Sequence, residues 1–120
     1  YQSCEAFVLP SVDKNENFGV VQLEAMAYGK PVITSFLKSG ASSVGVKDVT
    51  TILTEPRDSH SLAKAMNFIL SNPHKKEEMG KSALNLVLKK YDLQKIRKQY
   101  VEMYSDLFSE KAERKSKEVA

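Results

Sequence analysis

The stretch that decides the fold is Ala6-Phe7-Val8-Leu9-Pro10, followed after a polar loop by Asn17-Phe18-Gly19-Val20-Val21-Gln22-Leu23-Glu24-Ala25-Met26-Ala27-Tyr28-Gly29-Lys30-Pro31-Val32-Ile33-Thr34. Four apolar residues closed by a proline predict a short, fully buried strand. From Gly19 the periodicity changes. Val20, Leu23 and Ala27 share one helical face and Val21, Ala25 and Tyr28 another, with Gly29 and Pro31 as the stop. This predicts a short, nearly buried helix. Val32-Ile33-Thr34 predicts a second strand, so the segment reads as a βαβ unit with parallel strands and a right-handed crossover.

Working outward, residues 35–48 are rich in Ser and Gly, with Ser39-Gly40-Ala41-Ser42-Ser43 at the centre. Such a loop can bring its backbone close to a ligand or can serve as a flexible linker. Thr50-Thr51-Ile52-Leu53-Thr54, bounded by Pro56, predicts a third strand in the same sheet. Asp58 or Ser59 can cap a helix with Leu62, Ala65, Met66, Ile69 and Leu70 as its apolar stripe, ended by Asn72-Pro73.

A further helix from about His74 to Lys90 turns Met79, Ala83, Leu86 and Val87 inward, and Gly80 is expected to weaken it by roughly 1 kcal/mol relative to alanine. Asp92 can cap a last helix whose Leu93, Ile96, Tyr100, Met103, Leu107 and Phe108 stripe is wide enough to bury against a neighbour. Residues 109–120 form a charged tail, either continuing that helix or frayed. The expected fold class is therefore α/β: a partial Rossmann-like parallel sheet of three strands, flanking helices and a helical C-terminal end.

With 120 residues, 42% apolar and 28% charged, the chain has room for one compact domain with a modest core. It opens on Tyr1 and enters a strand almost at once, which reads as a fragment of a longer protein. The net charge of +3 is mild, and the basic residues concentrate after Lys75, which argues against a nucleic-acid surface near the opening motif. Cys4 is the only cysteine, so intrachain disulfides and cysteine metal sites are excluded. Cys4 is expected to be a small buried hydrophobe in a reducing, cytoplasmic setting. No apolar run approaches the roughly 20 residues of a transmembrane helix.

Between Gly19 and Gly29 the only side chain charged at neutral pH is Glu24. A carboxylate on an apolar helix needs a partner. A vicinal diol such as a ribose offers two donors to its two acceptor oxygens, and a surface lysine or arginine is the simpler alternative. Gly19 leaves the first N–H groups of the helix unshielded, so those of Gly19, Val20 and Val21 can face a phosphate with the helix dipole behind them. Phosphate and diol together suggest a nucleotide.

The pattern Glu16, Phe18-Gly19, Glu24-Ala25-Met26-Ala27 and Gly29-Lys30-Pro31-Val32 resembles the donor-binding domain of family 4 retaining glycosyltransferases of the GT-B fold. Glu16 and Glu24 match that family's E-x7-E motif. The likeness continues through Pro56-Arg57-Asp58, where the family often has Pro-Gly-Asp, through Met79-Gly80 and to Tyr91, covering about residues 5–108. Residues 1–108 then form the C-terminal part of the domain.

The resemblance implies that Glu16 faces the donor sugar as the catalytic carboxylate. Asn17, Phe18, Gly19 and Val20 would surround sugar and diphosphate, and Glu24 would hold the ribose hydroxyls. The donor would be a UDP- or GDP-sugar and the transfer retaining, with no metal. The acceptor, a glycan or lipid, would be reached through an N-terminal domain outside this chain, leaving this segment inactive by itself. Peripheral association of the parent with the inner membrane face is a further expectation. The family's glycine-containing turn before the third strand is replaced by Asp48-Val49-Thr50-Thr51-Ile52.

Two other readings stay open: a noncatalytic nucleotide-sugar-binding module, and a receiver-like signalling domain with Asp13 as phosphoacceptor, which lacks the expected acidic pair. His60 and His74 sit at helix starts with no ligand-spaced partner and read as surface or capping residues.

Overall fold

The computed structural model describes residues 1–13, 15, 17–38 and 40–118, with side chains to residue 111. Lys14, Glu16, Ser39, Val119 and Ala120 lie outside the described residues. The chain divides into two compact units, Tyr1–Lys89 and Lys90–Ala120.

In the first unit the strands are β1 (Phe7–Leu9), β2 (Val32–Ser35) and β3 (Thr51–Thr54), in the order β1-β2-β3, all parallel. Phe7, Val32 and Thr51 align across the sheet, as do Val8, Ile33 and Ile52. The period-2 pleat therefore sends these two rows to opposite faces. One face packs Val32, Phe7 and Val44 against Ala25, Met26 and Leu23 of helix α1 (Val20–Ala27) and Ala83, Leu86 and Val87 of α3 (Pro73–Lys90). On the other face, Ile33, Val8 and Ile52 meet Leu62, Ala65 and Ile69 of α2 (Ser59–Ser71) and Met79 of α3. The sheet is thus sandwiched, as a buried parallel sheet requires.

The βαβ reading is correct, but the helix is less buried than its periodicity suggests. Gln22, Ala25 and Met26 form the inward stripe, whereas Val20, Val21 and Tyr28 are exposed, Val20 by 58%. The helix lies on the sheet with one face, so only positions spaced i, i+3, i+4 from Gln22 are covered. Its C-terminus is a Schellman turn: Gly29 N–H reaches Met26 O (2.9 Å) and Lys30 N–H reaches Ala25 O (3.1 Å), with Gly29 at φ 66°.

Gly80 is a packing requirement of α3 more than a weak point in it. A Cβ there would stand 2.2 Å from Gly29 O, so α3 crosses the α1 exit with its backbone nearly touching it. Asp58 is the cap of α2, its Oδ1 accepting from His60 N–H (2.9 Å) and Ser61 N–H (3.0 Å). Arg57 before it has φ 62°, a left-handed conformation that explains the glycine often found there in the resembled family. Asp48, in the altered turn before β3, is likewise left-handed at φ 59°. Cys4 is partly exposed, its thiol donating to Tyr1 O (3.0 Å), because the turn it occupies precedes the sheet and is not sealed by it.

The second unit is built on α4 (Leu93–Glu118), so the tail continues the helix as far as Glu118. Asp92 caps it by accepting from Lys95 N–H (3.1 Å). Its apolar stripe is exposed apart from half-buried Ile96, Leu93 by 75% and Phe108 by 70%. Among the described residues no helix is long and apolar enough to cross a membrane.

Candidate functional site

In a parallel sheet the helix N-termini gather at the carboxyl ends of the strands, where ligands bind in open α/β folds. Here the β1-to-α1 loop reaches that edge and turns into the helix at Gly19, whose φ 69° and ψ 56° are left-handed. A Cβ at Gly19 would lie 2.6 Å from Gln22 Nε2 and 3.2 Å from Leu9 Cδ2, so glycine is required by conformation and by space alike. Among the described residues no side chain caps α1. The N–H groups of Gly19, Val20 and Val21 lack intrahelical partners by construction, whereas that of Gln22 reaches Gly19 O (2.9 Å), and all lie at the positive end of the dipole. Around them Asn17, Phe18 and Val20 are exposed, Phe18 by 40%, while Gly19 is buried.

The second wall is the loop after β2, which contains a short 3-10 turn over Gly40–Ser43. The loop is internally braced. Ser42 Oγ accepts from Leu37 N–H (2.8 Å) and directs its proton to Leu37 O (2.7 Å) and Ser35 O (3.3 Å). It also presses on the first wall, since a Cβ on Gly40 would lie 2.4 Å from Asn17 O and 3.8 Å from the Phe18 ring. Gln22, fully buried, joins them by donating from Nε2 to Ala41 O (3.0 Å). This residue escapes a reading confined to charged side chains. The available signal is its place on the Ala25 and Met26 stripe, where an amide must find a partner.

Glu24 lies five positions beyond Gly19, about 7.5 Å along the helix axis. It is exposed and not buried as the apolar helix suggested, and its Oε2 accepts from the Tyr1 hydroxyl (2.8 Å). Tyr1 also stacks on Tyr28 (5.9 Å) and meets Phe7 edge-on (5.5 Å). The hydrogen bond to Glu24 holds the Tyr1 phenol above its ordinary range, with desolvation adding to it. Among the described residues the partner is thus a hydroxyl donor and not a lysine or arginine, and a carboxylate can accept from a further donor at its second oxygen.

The structure therefore brings Asn17, Phe18, Gly19 and Val20 to one edge with Glu24 on the adjoining exposed flank. Glu16, the expected catalytic carboxylate, lies outside the described residues. Beside the same edge a cavity of 240 Å³ is lined by Pro10, Val12, Ser35, Thr54 and Arg57. A roomier cavity, of 530 Å³, lies on the β3 side between Ile52, Leu53, Ala65 and Phe68. Its walls are mainly apolar, and it contains none of the candidate donor-site residues.

His60 and His74 are exposed in the first turns of α2 and α3. Among the described residues no three His, Cys, Asp or Glu side chains group as metal ligands would. Asp13 accepts from Asn15 N–H (3.4 Å) and Asn15 Nδ2 (3.1 Å), forming a local turn.

The family of glycosyl transferases group 1 matches residues 1–86. Among curated relatives, D-rhamnosyltransferase WbpZ of Pseudomonas aeruginosa is 35% identical over 78 residues, 65% of this chain and 20% of that protein. O-antigen chain mannosyltransferase C of Escherichia coli is 26% identical over 112 residues, 93% of this chain and 30% of that protein. The crystal structure of Anabaena Alr3699/HepE in complex with UDP superposes with a TM-score of 0.82 at 28% identity, covering 88% of this chain and 28% of that one. The same protein in complex with UDP-glucose gives 0.80. The chain thus spans less than a third of the length of these relatives.

Proposed function

This chain belongs to the group 1 glycosyl transferases, and we propose that it supplies the nucleotide-sugar half of a retaining transferase. The observation that carries the reading is the uncapped, glycine-led start of α1 at the carboxyl edge of a parallel sheet, with Glu24 on the adjoining exposed flank. Solved relatives in complex with UDP and UDP-glucose support it.

In this reading the diphosphate rests on the free N–H groups at Gly19, Val20 and Val21. Negative charge grows there as the glycosidic bond to the leaving group breaks, so fixed backbone donors stabilise the transition state more than the ground state. Glu24 accepts from the ribose diol, which either joins or replaces the Tyr1 hydroxyl. Glu16 faces the sugar and offers a carboxylate to the positive charge developing on the ring, while Asn17 and Phe18 border it. The retained configuration, the glycan or lipid acceptor and its second domain are parts of the same proposal. No metal is invoked, because the backbone donors meet the departing charge.

Titration calorimetry of the intact protein with UDP-glucose and GDP-mannose tests the donor assignment. Glu24→Ala is expected to weaken binding by about 1–3 kcal/mol, the cost of a lost charge-assisted hydrogen bond. Unchanged affinity in that variant removes Glu24 from the ribose. Glu16→Gln is expected to leave binding nearly intact and depress transfer. Donor binding without transfer to any glycan or lipid acceptor would favour a noncatalytic module.

A further inference from the structure

Gln22 occupies a position where an amide is costly. It is 0% exposed, and its Oε1 has no hydrogen-bond partner among the described residues. A buried polar atom left unpaired costs about 1–3 kcal/mol, and an aliphatic side chain would occupy the same slot without stranding an oxygen. Packing alone therefore does not account for glutamine. What the amide does achieve is a bond across 19 positions of sequence, from the first turn of α1 into the Gly40–Ser43 turn.

Two glycines make that bond possible. The absent Cβ of Gly19 leaves room for Nε2, which a methyl group would approach to 2.6 Å. The absent Cβ of Gly40 lets the turn descend onto Asn17 O, to a separation a Cβ would shorten to 2.4 Å. Gln22 thus holds together Asn17-Phe18-Gly19 and Gly40-Ala41.

We propose that Gln22 is a positioning residue: it latches the Gly40–Ser43 turn onto Asn17-Phe18-Gly19 and so fixes the backbone that meets the sugar nucleotide. This role rests on the donor-site reading above. Gln22 acts through the backbone and not by touching the donor, since its amide is sealed from solvent.

The test uses the intact protein in four forms: unmodified, Gln22→Leu, Gly40→Ala and the double variant. Each is titrated with UDP-glucose and GDP-mannose well below its melting temperature, and amide hydrogen exchange is followed in residues 17–20 and 40–43. Each single substitution is expected to weaken the accepted sugar nucleotide by about tenfold, the equivalent of one hydrogen bond. Exchange should rise in both segments, and the double variant should bind no worse than the weaker single one, because one latch can be broken only once.

A Gln22→Leu protein with altered melting temperature but unaltered affinity and exchange overturns the proposal, leaving a merely structural glutamine. Additive losses in the double variant overturn it as well. If the unmodified protein binds neither sugar nucleotide, the donor-site reading has failed and the proposal falls with it; binding by the unmodified protein separates the two failures. Should Gln22→Leu not fold, Gln22→Met, unbranched and of similar length without a donor, takes its place.

Discussion

Helix α1 begins and ends on glycines with nearly the same backbone angle, φ 69° at Gly19 and φ 66° at Gly29, yet the two ends have opposite surroundings. At the exit the orphan carbonyls are satisfied by a Schellman turn, and α3 lays Gly80 directly on the Gly29 peptide. At the entry no side chain among the described residues caps the helix, and Asn17, Phe18 and Val20 beside it are exposed. The same local conformation serves stability where a neighbour closes over it. It makes a candidate binding site where, among the described residues, no side chain caps the helix.

The comparison is broken most severely at the closed end. Gly80→Ala places a methyl group 2.2 Å from a backbone oxygen. The gain in helix propensity is near 1 kcal/mol, while backbone displacement in a packed site costs more, so a net loss of about 2–3 kcal/mol is expected in urea denaturation. A gain in stability would show that α3 does not sit tightly on Gly29.

Gly19→Ala at the open end should cost about 1–2 kcal/mol for a left-handed alanine, with displacement of the buried Gln22 amide adding to it. Its larger consequence is on donor affinity, because the methyl group displaces the Gln22 amide. Urea denaturation and calorimetry on the same variant compare the two effects, and a stability loss with full affinity would contradict the assignment of this end.

Arg57→Gly relieves left-handed strain beside the open edge. Allowing for glycine's greater freedom in the unfolded chain, a gain of about 0.5–1 kcal/mol is expected. A loss would mean that the Arg57 side chain contributes contacts worth more than the strain.

The smallest effect concerns Glu5, which pairs with Lys76 of α3 near the closed end. Its hydrogen bond to Lys76 lowers the Glu5 pKa below the ordinary 4.5, and the Lys76 charge adds to this. A folded-state pKa below the unfolded one makes the contribution complete above the unfolded value, and it is lost as pH falls through the folded one. Melting temperatures of the unmodified protein and Lys76→Ala should therefore differ slightly at pH 7 and converge as the pH falls through and below the lowered Glu5 pKa. A difference that grows on acidification would contradict the pairing.

Much of this architecture was legible because its signals are local. Three apolar runs, Gly29-Lys30-Pro31 and the Asp58 cap each act within a few residues. What periodicity does not contain is whether a neighbour is present. Val20, Val21 and Tyr28 follow helical spacing as faithfully as Ala25 and Met26, yet only the latter two are covered. The α4 stripe repeats the lesson, with regular spacing and an exposed face. Gly80 and Gln22 were hidden for a related reason: each is explained by a segment tens of residues away, Gly29 in one case and Ala41 in the other. The candidate site was legible as a cluster in sequence from Asn17 to Glu24, but its second wall and the Tyr1 hydroxyl on Glu24 come from tertiary placement.

The single cysteine carries a practical consequence. Cys4 is partly exposed, and its thiol bonds the carbonyl of Tyr1, the residue whose hydroxyl occupies Glu24. A thiol-reactive fluorophore would therefore attach at one position of this chain without any engineered substitution. Its emission would report whether Tyr1 leaves Glu24 when a ribose arrives, turning an equilibrium assignment into a signal that can be followed in time.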